Sequence, residues 1–378
     1  MSDERALKVG AAVHAVGADW AVLTSIDTVC YATGFDASIE AGPSPFAGGP
    51  ATAFVARDGS SGLVVTNLED PAAKASRATT VNSYEGFDKV RWTPYAANYL
   101  AAVAEIAREL GVGGVLAVER RTLPALLRES LVDVANDFVF IDDELNRARS
   151  VKTREEVEQL RRCAALTAVG QAAALEAVQV GRRELEAFAD IRSAMEVDAG
   201  QRLPLTGDLL SGAARTAASM GWPIARLMEA GDPVICDLAP RLGGYWGDSC
   251  NTLLLGDPSP EFMRLYETSQ RAFETAVETL RPGISAGEFD RQVRAVITAE
   301  GFSNPLHIGH GIGTSSHEYP RLVAEESCRL EPGMVLMVEP GAYDPAIGGV
   351  RLEWMFLVTE RGNEVLSPFR HVLAAEGR

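Results

Sequence analysis

The sequence predicts two domains in series: an α/β layer domain over residues 1–145, then an α+β domain over residues 146–378 with helices packed on a mainly antiparallel sheet. Three observations carry this. Short apolar runs alternate with helical stretches up to about Asp143. A charged crossing from Ile141 to Lys152 then leads into a long capped helix beginning at Thr153. Beyond it, apolar strands that each carry one acid alternate with amphipathic helices.

In the first domain, Trp20 to Ser25, Ala53 to Ala56, Gly62 to Thr66 and Val115 to Val118 read as strands, while Ala96 to Leu110 and Leu123 to Val134 read as helices. Two stretches are irregular. Gly34 to Pro50 is rich in Gly, Pro, Ser and Ala, and Tyr84 to Tyr95 carries Phe87 and Trp92; such loops serve either as lids or as connections. No cluster of acids and histidines falls here, so this domain is expected to carry shape and not chemistry.

In the second domain, Thr153-Arg-Glu-Glu156 forms a capping box at the start of the long helix. Val157, Leu160, Cys163, Ala164, Leu166 and Ala168 follow on its apolar side. Further helices are predicted over Glu184–Val197, Pro260–Leu280 and Ala286–Gly301.

Composition narrows the function. With 378 residues, 47% of them hydrophobic, the chain can bury more than one core. A net charge of −17 repels a phosphate backbone and argues against nucleic-acid partners. No apolar run reaches the length of a membrane span, and the start lacks a basic-then-apolar signal, so a cytoplasmic location is expected. Five cysteines (Cys30, Cys163, Cys236, Cys250 and Cys328), far apart and without a Cys-x-x-Cys pair, argue for reduced thiols. Cys250 reads as a small, half-buried apolar residue.

The chemistry centres on Asn304 to Pro320. Three of the five histidines, His307, His310 and His317, fall there, with Gly309, Gly311 and Gly313 around His310. Neutral imidazole is the commonest metal ligand. The bland alternative is a glycine-rich loop with chance histidines. Four acids elsewhere weigh against it. Val234–Leu238 is an apolar strand carrying Asp237, and Asp248 follows eleven residues later, past Gly243 and Gly244. A hairpin centred between Leu242 and Gly243 would set the two aspartates opposite each other, with Cβ atoms roughly 5 Å apart, a repulsive pair unless a cation lies between. Val335–Val338 likewise ends in Glu339, and Glu353 lies on the following strand. Four carboxylates and one imidazole suit a pair of divalent ions, manganese first, with cobalt, zinc or iron as alternatives. Paired ions supply a nucleophile at neutral pH and polarise a carbonyl.

The order Asp237, Asp248, His310 in Gly-His-Gly-Ile-Gly, Glu339 in Glu-Pro-Gly, and Glu353 resembles the pita-bread metallopeptidases. The entry Arg149-Ser-Val-Lys-Thr153 and the run Gly349-Val-Arg351 are similar to the branch of Xaa-Pro aminopeptidases, Xaa-Pro dipeptidases and creatinase-like enzymes. The resemblance implies a creatinase-like N-terminal domain and a pita-bread catalytic domain with a curved sheet. It implies metal ligation by Asp237, Asp248, His310, Glu339 and Glu353, and a homodimer. It further implies Glu339 as proton shuttle, His317 as donor to the oxyanion, and Arg351 near the polar end of a peptide or small amide substrate.

Departures from the pattern accompany it. Met220 stands where these peptidases carry a histidine, and methionine cannot move a proton. Ser249-Cys250-Asn251-Thr252 replaces a common Thr-Arg-Thr, and Leu306 stands where relatives often have a histidine, with His307 one place away. The leading reading is a dinuclear metal-dependent hydrolase of a C–N bond, of the Xaa-Pro aminopeptidase or dipeptidase kind, and altered substrate-facing residues beside an intact ligand set suggest a specialised small substrate. The alternatives are a creatinase-like amidinohydrolase or amidohydrolase, a metal-assisted lyase, and an inactive peptide-binding protein of the same fold. Trp246 and Trp354 read as core or wall, and His14 and His371 as surface residues without function.

Overall fold

The computed structural model describes residues 3–37, 44 and 46–373. Of the Gly34–Pro50 stretch, residues 38–43 and 45 lie outside the described residues. The chain divides into two compact units, Met1–Arg149 and Ser150–Arg378.

The first unit is a six-stranded mixed sheet between two helical layers. Its central strands are buried on both faces, which explains their continuous apolar runs. Along Trp20–Leu23, Thr52–Ala56 and Ser61–Thr66, Ala21, Leu23, Ala53, Val55, Leu63 and Val65 pack on one side with the helices Glu4–Ala15 and Ile26–Thr33. Val22, Phe54 and Val64 pack on the other with Tyr95–Leu110 and Ala125–Leu131. Two edge strands, Thr80–Tyr84 and Ala135–Phe140, were not among the predicted elements. The crossing expected at Ile141–Lys152 is itself mostly helix, Asp142–Ser150, and Leu145 joins the core of this unit.

The second unit is α+β, and every strand pair described in it is antiparallel. It is built from two successive passes of the same plan. Helices Arg154–Ala177 and Glu184–Ala199 precede Leu209–Ser211, Pro233–Asp237 and Cys250–Leu254; helices Pro260–Thr279 and Ala286–Ala299 precede Gly309–Gly311, Val335–Val338 and Trp354–Thr359. Each helix pair buries its apolar side on the strands of its own pass, Leu166, Ile191 and Met195 against Val234 and Cys236, and Phe273, Phe289 and Val293 against Leu336, Val338 and Phe356. The capping box at Thr153 is present, with the Glu156 carboxylate accepting the Thr153 amide at 2.9 Å.

Directly before that cap, Lys152 Nζ donates to Glu318 Oε2 at 2.9 Å, with the two side chains 1% and 5% exposed. The same carboxylate takes the Ser315 amide at 3.1 Å, so the helix entry anchors the loop that carries His317. Removing one partner of a buried ion pair leaves an uncompensated charge. Lys152→Met is therefore expected to destabilise the protein by roughly 3–5 kcal/mol, against about 1 kcal/mol for loss of the Thr153 cap. Urea unfolding midpoints of the two variants measure this difference.

Candidate metal centre

The four acids and one histidine expected as ligands all line one cavity of about 240 Å³ within the second unit. Asp237 ends one strand and Glu339 directly follows another, while Asp248 and Glu353 lie just ahead of the strands Cys250–Leu254 and Trp354–Thr359. Each acid therefore sits at a strand end, where a rigid sheet aims it and the cavity receives it.

The hairpin between the two aspartates has a different register from the one expected. Its turn is centred on Gly243 and Gly244, both at positive φ (56° and 82°), as a tight twisted hairpin requires. Leu242 pairs with Tyr245 and Asp237 with Cys250, so Asp248 is not opposite Asp237. The shift amounts to two residues on one strand, which preserves the face. Asp248 thus lies diagonally from Asp237 on the same side, and the two carboxyl groups remain within hydrogen-bonding reach.

His310 is buried on the short strand Gly309–Gly311. A Cβ at Gly309 would fall 2.0 Å from the Met337 carbonyl oxygen, and one at Gly311 would fall 2.4 Å from that of Tyr319, so both neighbours must be glycine. The Nδ1 of His310 lies 2.8 Å from the Gly311 carbonyl oxygen, which fixes the proton there and turns the Nε2 lone pair outward. Nε2 is 3.3 Å from Glu339 Oε1 and 3.9 Å from Asp248 Oδ2. The His317 ring stacks on that of His310 with centroids 4.0 Å apart. Three clusters bring one ligand atom per residue within 4.8 Å of the others: His307/His310/His317, and the sets Asp248/His310/Glu353 and Asp237/Cys250/Glu353, to both of which Glu353 belongs.

Arg351 also reaches the centre, with two of its guanidinium nitrogens engaged. Nη2 donates to Asp237 Oδ2 at 2.6 Å and to Asp208 Oδ2 at 2.9 Å, and Nη1 donates to the Ser219 carbonyl at 2.9 Å. Its Nε has no hydrogen-bond partner among the described residues, and the residue lines the cavity. Several residues of the cavity, Asp208, His307 and Tyr343 among them, were not singled out as site residues from the sequence. Asp208 bonds Arg351 and the Gly221 amide, and His307 Nε2 lies 3.2 Å from Glu339 Oε1. A lone aspartate after Gly207 gives no local signal, whereas His307 shares the histidine-rich window.

Other expectations need correcting. Cys250 is fully buried and neighbours Asp237 and Glu353. His371 is not a surface residue: it stacks on Trp354 at 4.7 Å, and its Nε2 lies 3.1 Å from the Glu353 amide nitrogen. Met220, 64% exposed, lines the cavity mouth together with Trp222 and Leu306, at 81% and 66%.

Electrostatics follow from crowding. Burial raises the Asp248 and Glu353 carboxyls well above the usual range, and the neighbouring acids add to it. Burial also raises Asp237, to about 7, although Arg351 opposes the shift. Burial would raise Glu339 as well, but His307, His310 and Arg351 outweigh it and hold it at about 2. Burial pulls His310 down to about 4, so its imidazole is neutral and able to ligate near neutrality.

These shifts give a signed prediction. In the folded protein Asp248 and Glu353 keep protons at pH values where ordinary unfolded carboxylates have lost them, so stability falls as pH rises. His310, His317 and His371, with lowered values, act in the opposite sense, but only up to the ordinary histidine value of about 6.5. Chelator-treated protein should therefore lose thermal stability as pH rises from about 6.5 toward 8, and divalent cations should reverse the loss. A melting temperature that stays flat across that range would contradict the crowding argument.

Comparison with known proteins adds kinship. Residues 158–360 match the metallopeptidase family M24, and residues 5–151 match the creatinase/prolidase N-terminal domain. The Xaa-Pro dipeptidase of Pyrococcus furiosus is 30% identical over 348 residues, covering 91% of this chain and 94% of that protein. Among solved structures, the prolidase from Pyrococcus horikoshii OT3 superposes with a TM-score of 0.82 at 27% identity, over 98% of this chain and all of that one. The dipeptidase PepE from Mycobacterium ulcerans gives 0.79 at 28% identity, over 98% and 96%.

Proposed function

The chain belongs to the metal-dependent metallopeptidase family M24, with a creatinase-type α/β domain ahead of a pita-bread domain, and on that premise we propose a dinuclear hydrolase of the Xaa-Pro dipeptidase kind. The observation that carries the proposal is the sharing of Glu353 between two donor sets, one holding Asp248 and His310 and the other Asp237. Asp237, Asp248, His310, Glu339 and Glu353 would hold two divalent ions. Four carboxylates and a neutral imidazole match two dications in charge, and manganese suits donors so rich in oxygen. The fit is supported by Glu353, 1% exposed, whose Oε2 has no hydrogen-bond partner among the described residues. Such ions, when bound, supply a nucleophile at neutral pH and polarise the amide carbonyl.

The protein's own residues do the rest. Glu339, ionised and within 3.3 Å of His310 Nε2, is placed to take a proton and return it to the leaving nitrogen. His317, stacked beside His310 at the cavity, donates to the oxyanion that develops on the carbonyl oxygen. Arg351, bonded to Asp237, Asp208 and the Ser219 carbonyl, orients an aspartate and a loop, and its place in the lining leaves it beside the polar end of a bound substrate. The substrate is a dipeptide with proline after the scissile bond, by kinship with the Pyrococcus enzymes. A second reading, a small amide substrate, is favoured by Met220 alone: it fills the cavity mouth with a side chain that has no proton to transfer. We further propose a homodimer, supported by Val90 and Trp92, which are 92% and 81% exposed in the first unit.

Metal analysis followed by a screen of Xaa-Pro dipeptides against small amides tests this reading. Two divalent ions per chain and release of proline are expected. Asp248→Ala and Glu339→Ala should each lower turnover by at least ~100-fold while the circular dichroism spectrum stays native. Met220→His should raise peptidase activity. Full activity in Asp248→Ala would sink the two-ion mechanism.

A further inference from the structure

We propose that Cys250 is itself a metal ligand, so that one side of the centre holds its cation through a thiolate and two carboxylates. The proposal rests on the metal reading of the same site and deepens it. Cys250 opens the strand Cys250–Leu254 and has an acid beside it on both flanks. On one side it pairs in register with Asp237. On the other it bridges to Glu353, whose amide donates to the Cys250 carbonyl at 3.0 Å. Residues opposite one another in antiparallel pairs project to the same face, so backbone pairing alone brings the three side chains together. The thiol sulfur and one carboxylate oxygen from each acid lie within 4.8 Å of one another.

The open acceptor on Glu353 and the polar setting of the thiol favour a ligand over a packing residue. Glu353 is 1% exposed, yet its Oε2 is without a hydrogen-bond partner among the described residues; a buried acceptor left open calls for a cation or a donor. The Cys250 thiol, with the residue 0% exposed, makes a long contact of 4.0 Å to the Asn251 carbonyl and lies within reach of the Arg351 guanidinium, so it sits inside the polar cluster and not in the apolar core. On binding, the S–H bond breaks, the proton leaves to solvent, and the sulfur lone pair forms the bond to the ion. A thiolate is a soft donor. Its presence shifts the preference at this position from manganese toward zinc, cobalt or iron. The other donor set, Asp248, His310 and Glu353, has no sulfur, so the two positions differ in the metal they select.

Cobalt(II) is the direct probe, because a thiolate–cobalt bond gives intense charge-transfer absorption in the near ultraviolet and carboxylates do not. The full chain is stripped with chelator, loaded with cobalt, and compared with Cys250→Ser at equal cobalt content. The native protein should show the band and Cys250→Ser should lose it. A parallel measurement needs no variant: X-ray absorption of the zinc-loaded native protein should contain a sulfur neighbour at about 2.3 Å. Cobalt bound in full without the band, or a band that persists in Cys250→Ser, would overturn the assignment, as would a zinc shell of oxygen and nitrogen alone. Failure to take up any cobalt or zinc would overturn the dinuclear reading as well, and elemental analysis tells that failure from the other.

Discussion

Repulsion among carboxylates is the constraint to which the second unit answers. Five acids, Asp208, Asp237, Asp248, Glu339 and Glu353, line one cavity, against a single arginine among the described residues that line it. Burial first, and the neighbouring acids after it, displace Asp237, Asp248 and Glu353 upward, since buried like charges cannot all ionise without compensation. Arg351 compensates in part by bridging Asp237 and Asp208 through one nitrogen. The remaining deficit defines a place for cations, and a fold that keeps such a cluster must hold it rigidly enough that the acids cannot turn away from one another.

That rigidity comes from doubling. Each pass of two helices and antiparallel strands supplies one acid where a strand ends, Asp237 or Glu339, and one just before the next strand begins, Asp248 or Glu353. Strand ends are the places in a sheet where a side chain is fixed by the ladder on one side and open on the other. The passes are joined at the level of the site by the bridge between Cys250 and Glu353. His310 enters from the second pass on a strand flanked by glycines that allow neighbouring carbonyl oxygens within van der Waals distance.

Much of this was legible in the sequence because the signals were local and periodic. The capping box at Thr153, the helix pairs, and the apolar strands carrying one acid each needed only neighbours within a few residues. The aspartate pair illustrates both reach and limit. Taking Leu242/Gly243 as the hairpin centre misplaced the register, yet the error was even-numbered, so the predicted face survived. Thr80–Tyr84 and Ala135–Phe140 were missed because edge strands with half-exposed positions lack the apolar run of a central strand. Asp208, the partners of Arg351 and the stacking of His371 on Trp354 are tertiary facts, joining residues more than a hundred positions apart or on separate elements, and no window of sequence contains them.

The segment of the cavity wall that carries Met220 is likewise held by buried charge. Glu184, fully buried at the start of its helix, accepts the amides of Ser211 and Ile224, the Ser211 hydroxyl and the Arg215 guanidinium. One carboxylate thereby ties both ends of the segment 211–224. Its middle is held by the site itself, through Arg351 on the Ser219 carbonyl and Asp208 on the Gly221 amide. Ser219 takes a left-handed φ of 62°, a conformation that a non-glycine residue keeps only when its surroundings fix it. Met220 sits between these two anchors. Its side chain is therefore presented to the cavity by a backbone whose position is set by the charge network and not by the methionine, so the chemistry at that point of the wall can change with one side chain while the acids behind it stay where they are.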